Sequence, residues 1–445
     1  MEVEEVSVEV IKPSTPTPSH LKTHNLSLID QYIAHAYLSV PLFYSSPAPT
    51  NTTQPSHILT HLRSSLSKTL TLFYPLAGRL NDPLNPHIHC NDEGVKFVHA
   101  RVRRCTLSQA LAPPDHRLDQ LFPKQHTTGD QLLGIQVTFF DCGGFAIGVY
   151  FSHKIFDARS LCTFVSCWAS IGKIGESVAQ QPRFDSASIF PAIDPPPTSS
   201  ALPDFAVERV VFKVFRFEGS KIEFLKAKAK GSGDERPPSR VMAVSALLWM
   251  VFAAMDGEKH RPCQLAMAVS LRGRLRTELT DSEAPIFHEH TIGNAALLPF
   301  APPMAPSRDL AELPGLVKVL NDMVRRIDES DLVRRRDGRE ITKIMESYFE
   351  AVARDYASSD EGESGLYEIA SWLRLPFYEA DFGWGKPLWF GYLIGAFKNI
   401  ITLLDTKCGE GVDVWVWMTE EDMARFESMP ELLEFATPLH NALDH

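Results

Sequence analysis

The stretch from Phe145 to Ser170 reads FAIGVYFSHKIFDARSLCTFVSCWAS and changes its period part-way. Phe145 to Phe151 is apolar and rich in β-branched and aromatic residues, the pattern of a strand. Leu161, Phe164, Val165 and Trp168 then fall at i, i+3, i+4 and i+7, one apolar stripe of a helix. Strand and helix thus meet in one stretch, and with strands and helices mixed in each half of the chain the pattern points to two similar α/β domains. His153 and Asp157 sit at the junction. A strand end holds a titratable group rigidly, and histidine can take a proton near neutral pH. Asp157 stands where the helix begins, so its carboxylate can cap free backbone N–H groups. On these residues alone, a buried histidine with a capping aspartate is the favoured reading over a catalytic one.

Length asks for more than one core. At 445 residues the chain suggests two domains. A hydrophobic fraction of 44% and a charged fraction of 22% are those of a globular protein. The net charge of −11 argues against a nucleic-acid partner, which would need a basic face. Seven scattered cysteines without a C-x-x-C pair fit reduced thiols. The start, MEVEEVSVEV, has no apolar signal-like run, and no apolar run reaches the ~18 residues of a membrane span. The expectation is a cytoplasmic protein that does not enter a membrane.

Taken in order, Val6 to Ile11 alternates as a strand, Ser27 to His35 reads as a short helix, and Pro47 to Ser56 as a loop. His57 to Thr71 carries leucines at helical spacing, and Val95 to Val102 alternates again. Gly134 to Phe140 and Phe145 to Phe151 flank Asp141-Cys142-Gly143-Gly144, a hairpin that delivers His153. Phe184 to Phe205 has no period and five prolines, a stiff extended connection. The expected division is therefore residues 1–183, a linker over 184–205, and residues 206–445. Beyond the linker, Val207 to Phe217 is a strand, Ser220 to Ala229 a helix, and Arg240 to Phe252 a strongly apolar, buried helix. Leu265 to Leu271 reads as one strand and Leu310 to Arg354 as charged helix. Within the latter, Arg334-Arg335-Arg336 lies among acids and reads as a solvated face, and Ser358 to Ser364 follows as an acidic loop. Ile394–Phe397, Ile400–Asp405 and Val412–Trp417 read as strands.

His153-x-x-x-Asp157 resembles the H-x-x-x-D motif of CoA-dependent acyltransferases. Asp381-Phe382-Gly383-Trp384-Gly385 resembles the D-F-G-W-G signature of the plant BAHD acyltransferases, and the two stand in the family's order. Phe73 to Arg79 and Leu271-Arg272-Gly273-Arg274 also match family patterns. Ile11 to Pro18, Asn91 to Val95 and Phe140 to Gly144 are similar to the vinorine-synthase-like group. The resemblance runs from about Val6 to about Met418.

What the resemblance implies is an α/β (α+β) fold of two similar chloramphenicol-acetyltransferase-like domains. Each is a mixed sheet with helices; a long crossover joins them, and the active-site channel lies between them. The segment around 370–395 would pack on the N-terminal domain. Acyl-CoA, with acetyl-CoA expected, enters from one face and a small-molecule alcohol from the other. His153 is the general base of a direct transfer, with no covalent enzyme intermediate and no metal. Asp157 points away from His153 and pairs with Arg272, as structural support. Trp372 is a candidate oxyanion donor, with a core tryptophan as the equal alternative. Ser239 and Arg240 match a segment near the CoA 3′-phosphate, against the reading of surface residues at a helix start. Asp381, Gly383 and Gly385 are structural, with Asp381 paired to an arginine. Two departures stand out. Ala370 replaces a frequent threonine, which shifts one oxyanion contact to Ser371 or water, and Ala158 replaces a frequent glycine.

The implied activity is O-acylation of a plant specialised metabolite such as an alkaloid or terpenoid, by a monomer. The alternatives are an amine acceptor, a non-catalytic metabolite- or CoA-binding relative, and a condensation domain of peptide assembly lines. No G-x-S-x-G elbow, P-loop or G-x-G-x-x-G is present. His87-x-His89-Cys90 and His288-Glu289-His290 lack the further ligands of a zinc site.

Overall fold

A computed structural model describes residues 1–46, 54–80, 87–123, 131–175, 181–197, 209–233, 235–274, 287–305, 312–329, 338–357, 365–394 and 397–443. The arginine run at 334–336, the acidic loop at 358–364 and the end of the proline-rich connection lie outside them, as does the boundary at 206.

Two six-stranded mixed sheets carry the chain. The first runs, in spatial order, Glu2–Ile11, Val95–Arg103, Leu133–Phe140, Phe145–Ser152, Tyr37–Tyr44 and Trp389–Phe390. The second runs Thr437–Pro438, Val210–Phe217, Val412–Thr419, Ile400–Asp405, Gly365–Ser371 and Cys263–Met267. Leu133–Phe140 and Phe145–Ser152 form the expected hairpin, with Phe139 opposite Phe145. The helices Pro55–Leu72 and Ala158–Ile174 pack against each other in the first core. The apolar helix Arg240–Glu258 fills the second core, where Phe252 stacks on Tyr367 at 4.2 Å. It is the one described helix long and apolar enough to cross a membrane, and it lies mostly inside the fold.

The first sheet takes its last strand from far along the chain. Trp389 pairs with Phe43 and Phe390 with Leu42. Tyr37–Tyr44 holds Pro41, and a proline in a central strand removes a ladder donor. Within an antiparallel strand a residue's N–H and C=O face the same neighbour. The Pro41 carbonyl accepts from Gly391 N at 3.1 Å, so its missing donor faces the short edge strand and leaves the pairing with Phe145–Ser152 intact. Aromatic rings then run from one sheet to the other: Phe43 on Trp389 at 5.7 Å, Trp389 on Trp415 at 5.4 Å, and Trp415 on Phe212 at 5.4 Å.

Several elements differ from their sequence reading. The helix after Ser27 spans only Leu28–Tyr32, closed by a capping box between Ser27 and Asp30. Leu265 to Leu271 is not one strand. Cys263–Met267 belongs to the second sheet, Val269–Ser270 pairs with Ala296–Leu297, and the break falls where Ala268 N turns to Ile369 O. The described part of the proline-rich connection is not simply extended. It contains the helix Ser186–Ile189 and packs Phe184 on Tyr74 and Phe190 on Phe287. Where Leu310 to Arg354 reads as one charged helical stretch, its described residues fall in the helices Leu313–Glu329 and Gly338–Ala357.

Candidate active site

His153 follows directly on the strand Phe145–Ser152, and its backbone is fixed on both sides. Its N–H donates to Ala36 O at 2.8 Å, and its carbonyl accepts from Asn294 Nδ2 at 2.8 Å. Asn294 is itself held by the buried Asp30, whose Oδ1 accepts from Asn294 N at 2.7 Å and from Nδ2 at 2.8 Å. The neighbouring Lys154 points the other way, into the protein. Its ammonium donates to Gln31 O at 3.0 Å, and burial lowers its pKa to about 8.

One ring nitrogen is left open: His153 Nδ1 is buried with no hydrogen-bond partner among the described residues. Burial lowers the pKa of the ring, so it is neutral at neutral pH and able to accept a proton.

Asp157 caps the helix Ala158–Ile174, accepting from Ser160 N at 2.9 Å. Its second oxygen accepts from Arg272 Nη1 at 2.5 Å and from Ala295 N at 3.1 Å. The side chains are 12% and 3% exposed for Asp157 and Arg272. Despite burial, the guanidinium and these donors hold the Asp157 carboxyl below its ordinary range. Arg272 Nη2 also donates to Ser160 Oγ, Thr291 O and Gly293 O at 2.8–3.0 Å. The carboxylate is thus engaged on the side of Arg272 and hydrogen-bonded to three groups, none of them His153.

Two cavities meet at His153. One, of about 150 Å³, is lined by Ala36, Tyr348, Phe349, Tyr356 and Lys398. The other, of about 290 Å³, is lined by Arg159, Arg272, Ala370, Ser371, Trp372, Leu373 and Thr402. His153, Leu38, Glu368, Tyr392 and Ile400 belong to both. Because side chains alternate along a strand, Glu368 and Ala370 face the cavities while Tyr367 and Ile369 face the second core. Trp372 lines the second cavity, with its ring 4.3 Å from Tyr392 and 5.5 Å from Phe377.

Other expected residues lie farther out. Ser239 caps the helix Arg240–Glu258, accepting from Met242 N at 3.2 Å. Arg240 donates to Gly409 O at 2.7 Å and pairs with Asp405 at 3.0 Å. Asp405 also accepts from Arg374 N at 2.5 Å, which ties this corner to the Leu373–Leu375 turn of the second cavity. Asp381 does not pair with an arginine: its partner is Lys173, at 2.7 Å, from the last turn of the Ala158–Ile174 helix. Its other oxygen accepts from Gly383 N and Gly385 N at 2.8 and 3.0 Å. Both glycines have φ above +100°, which side-chain-bearing residues rarely adopt. Phe382 packs edge-on against Trp168 at 4.9 Å, and none of residues 381–385 lines either cavity.

The sequence reading missed Asn294, Glu368 and Thr402. Thr402 is in register with Ala370 on the adjacent strand, is 1% exposed, and its hydroxyl has no partner among the described residues. The alternation Ile400-x-Thr402 was the available signal, but only the pairing with Ala370 shows which cavity it lines.

The Transferase family model matches residues 1–433 of the chain. The protein is a BAHD acyltransferase. It is 36% identical to vinorine synthase of Rauvolfia serpentina over 437 residues, covering 95% of this chain and 96% of that protein. The crystal structure of vinorine synthase superposes with a TM-score of 0.81, over 100% of both chains at 35% identity. Salutaridinol 7-O-acetyltransferase of Papaver somniferum is 34% identical, covering 97% of this chain and 98% of its own. Limonoid 1-O-acetyltransferase of Citrus sinensis is 33% identical, covering 98% and 99%. The BAHD enzymes are acyl-CoA-dependent, and the two-domain mixed α/β fold is that of the family.

Proposed function

We propose that this chain transfers an acetyl group from acetyl-CoA to a hydroxyl of a plant specialised metabolite, an alkaloid or terpenoid alcohol. The observation that carries the reading is His153, a neutral imidazole with an unpartnered ring nitrogen, held by its backbone where two cavities meet. The second cavity, lined by Leu373 next to the Arg374 N–H that Asp405 accepts, suits the thioester; the first suits the acceptor. The 7-O and 1-O acetyltransferase relatives support oxygen as the attacked atom.

The acceptor hydroxyl gives its proton to the imidazole as its oxygen attacks the thioester carbonyl. The tetrahedral intermediate collapses by breaking the carbon–sulfur bond. The imidazolium then returns the proton to the departing thiolate, and ester and free CoA leave. Trp372 and Thr402 border the cavity with a donor each, and they are assigned to the developing oxyanion. Asp157 and Arg272 act on structure, aligning the turn that carries His153. Ser239 and Arg240 are assigned to the CoA phosphate, an interaction for which Arg240 would exchange part of its contact with Asp405. We further assign the enzyme to the cytoplasm as a monomer, consistent with its seven unpaired cysteines.

The test is release of free thiol from acetyl-CoA by the purified protein against a panel of alcohols. Release that depends on the alcohol and on His153 supports the reading. Release without any alcohol, or equal release by His153→Ala, overturns it.

A further inference from the structure

Glu368 is a carboxyl group placed deep in an aromatic cavity with no cation of its own. It lies on Gly365–Ser371, and its N–H is fixed to Asn399 O at 2.9 Å. It lines both cavities together with His153. Its hydrogen bond comes from the hydroxyl of Tyr348, which burial keeps protonated and therefore donating. No lysine, arginine or histidine among the described residues makes an ion pair with it. The nearby Lys398 is already committed: it pairs with Asp355 at 3.3 Å and lies 5.0 Å from the centre of the Tyr356 ring. The wall around the carboxyl is Tyr348, Phe349 and Tyr392, all buried. Burial raises the Glu368 pKa, as expected of an acid that lacks a counter-charge.

Glu368 is half-buried, and a carboxyl shielded by an aromatic cavity without a counter-ion is costly unless something that binds supplies one. Aromatic faces add attraction for a cation beside them. We infer that Glu368 is the anchor for a protonated amine on the acceptor, so that the enzyme takes amino alcohols in preference to neutral alcohols of the same shape. The cation sits on the Glu368–Tyr348 side of the first cavity, and the hydroxyl to be acylated reaches His153 at its end. This deepens the proposed function and rests on it, because it chooses between alkaloid and terpenoid acceptors. A hydrogen bond to a charged partner in such a site corresponds to about a tenfold to hundredfold preference.

The experiment compares quinuclidinol with its all-carbon isostere bicyclooctanol, at neutral pH, by thiol release from acetyl-CoA. The wild type favours quinuclidinol in kcat/KM by about tenfold or more. Glu368→Gln, equal in shape and uncharged, brings that ratio close to one. Tyr348→Phe, which keeps the carboxyl, retains a preference for the amine. A wild-type ratio near one, a preference for the carbon isostere, or a ratio unchanged in Glu368→Gln overturns the inference. Should neither alcohol be an acceptor, thiol release does not report on Glu368, and the transfer reading is decided by the wider panel of alcohols. Calorimetric binding of quinuclidine to wild type and to Glu368→Gln then decides this inference alone. Binding weakened about tenfold or more in the variant supports it, and equal or undetectable binding refutes it.

Discussion

Replacing Asp157 with asparagine removes one charge of a buried pair and almost none of its shape. At 2.5 Å, with an effective dielectric of about 20, the Coulomb attraction between Asp157 and Arg272 is about 7 kcal/mol. Desolvation of both ions offsets much of it, but the substitution does not recover the desolvation of Arg272, which stays 3% exposed. Unpairing a buried charge costs about 3–5 kcal/mol. The carbonyls of Thr291 and Gly293 still receive the guanidinium, so the lower end, about 3 kcal/mol, is expected here. Urea unfolding of Asp157→Asn at pH 7 measures the loss. Asp157→Asn combined with Arg272→Met should regain more than half of it, because no charge is then left alone. The sign with pH follows from the lowered carboxyl: its stabilisation is present above the unfolded pKa of about 3.9 and is lost as pH falls through the folded value. The gap between wild type and variant is therefore full at pH 7 and narrows below about pH 4. Catalysis should suffer moderately, through displacement of His153. A variant with wild-type stability whose kcat falls as far as that of His153→Ala would refute this account and make Asp157 a chemical partner of the imidazole.

His153→Ala should fold with near-normal stability, read by circular dichroism and urea unfolding, and lose about 10²–10⁴ in kcat. Thr402→Val should separate activity from stability. Replacing an unpartnered buried hydroxyl by a methyl leaves unfolding free energy unchanged or higher, while loss of an oxyanion donor lowers kcat about tenfold or more. Thr402→Ser should keep most of the rate, and full activity in the valine variant excludes the hydroxyl from the reaction. Lys154, with a folded pKa of about 8, is easier to protonate in the unfolded chain. Its cost is therefore full below pH 8 and disappears as pH rises toward the unfolded value of about 10.4. Relative to Lys154→Met, the wild type should gain up to about 3 kcal/mol across that window in urea unfolding.

Local pattern carried the elements that are long and regular: the hairpin, the switch at His153, the apolar helix after Ser239 and the Asp157 cap. It failed where non-local pairing decides. Tyr37–Tyr44 escaped because Pro41 speaks against a strand unless one knows that its missing donor faces an edge. Gly365–Ser371 escaped because one face meets a cavity rather than water, so Leu366, Glu368 and Ala370 show no polar stripe. Trp389–Phe390 is too short to show a period at all. Within the site, His153, Asp157 and Arg272 stood out by motif, and the pairing of Asp157 with Arg272 was implied by the family resemblance. Asn294, Glu368 and Thr402 gain their meaning only from partners 20 to 264 positions away along the chain. The partner of Asp381 was misread for the same reason: whether lysine or arginine reaches it depends on how the end of another helix is oriented.

The two residues Trp389 and Phe390 fasten the first sheet with material from the second half of the chain. A polypeptide ending at residue 197 would leave the outer margin of Tyr37–Tyr44 bare, an invitation to any passing strand, including that of an identical fragment. The halves are accordingly not modules that can be traded freely. A chimera between two such enzymes that switches parent at the proline-rich connection would seat a foreign Trp389–Phe390 beside a native Phe43. It would also press it onto a Trp415 of its own lineage. Productive exchange requires the stretch from 386 to 394 to travel with the N-terminal half, and Trp415 with both.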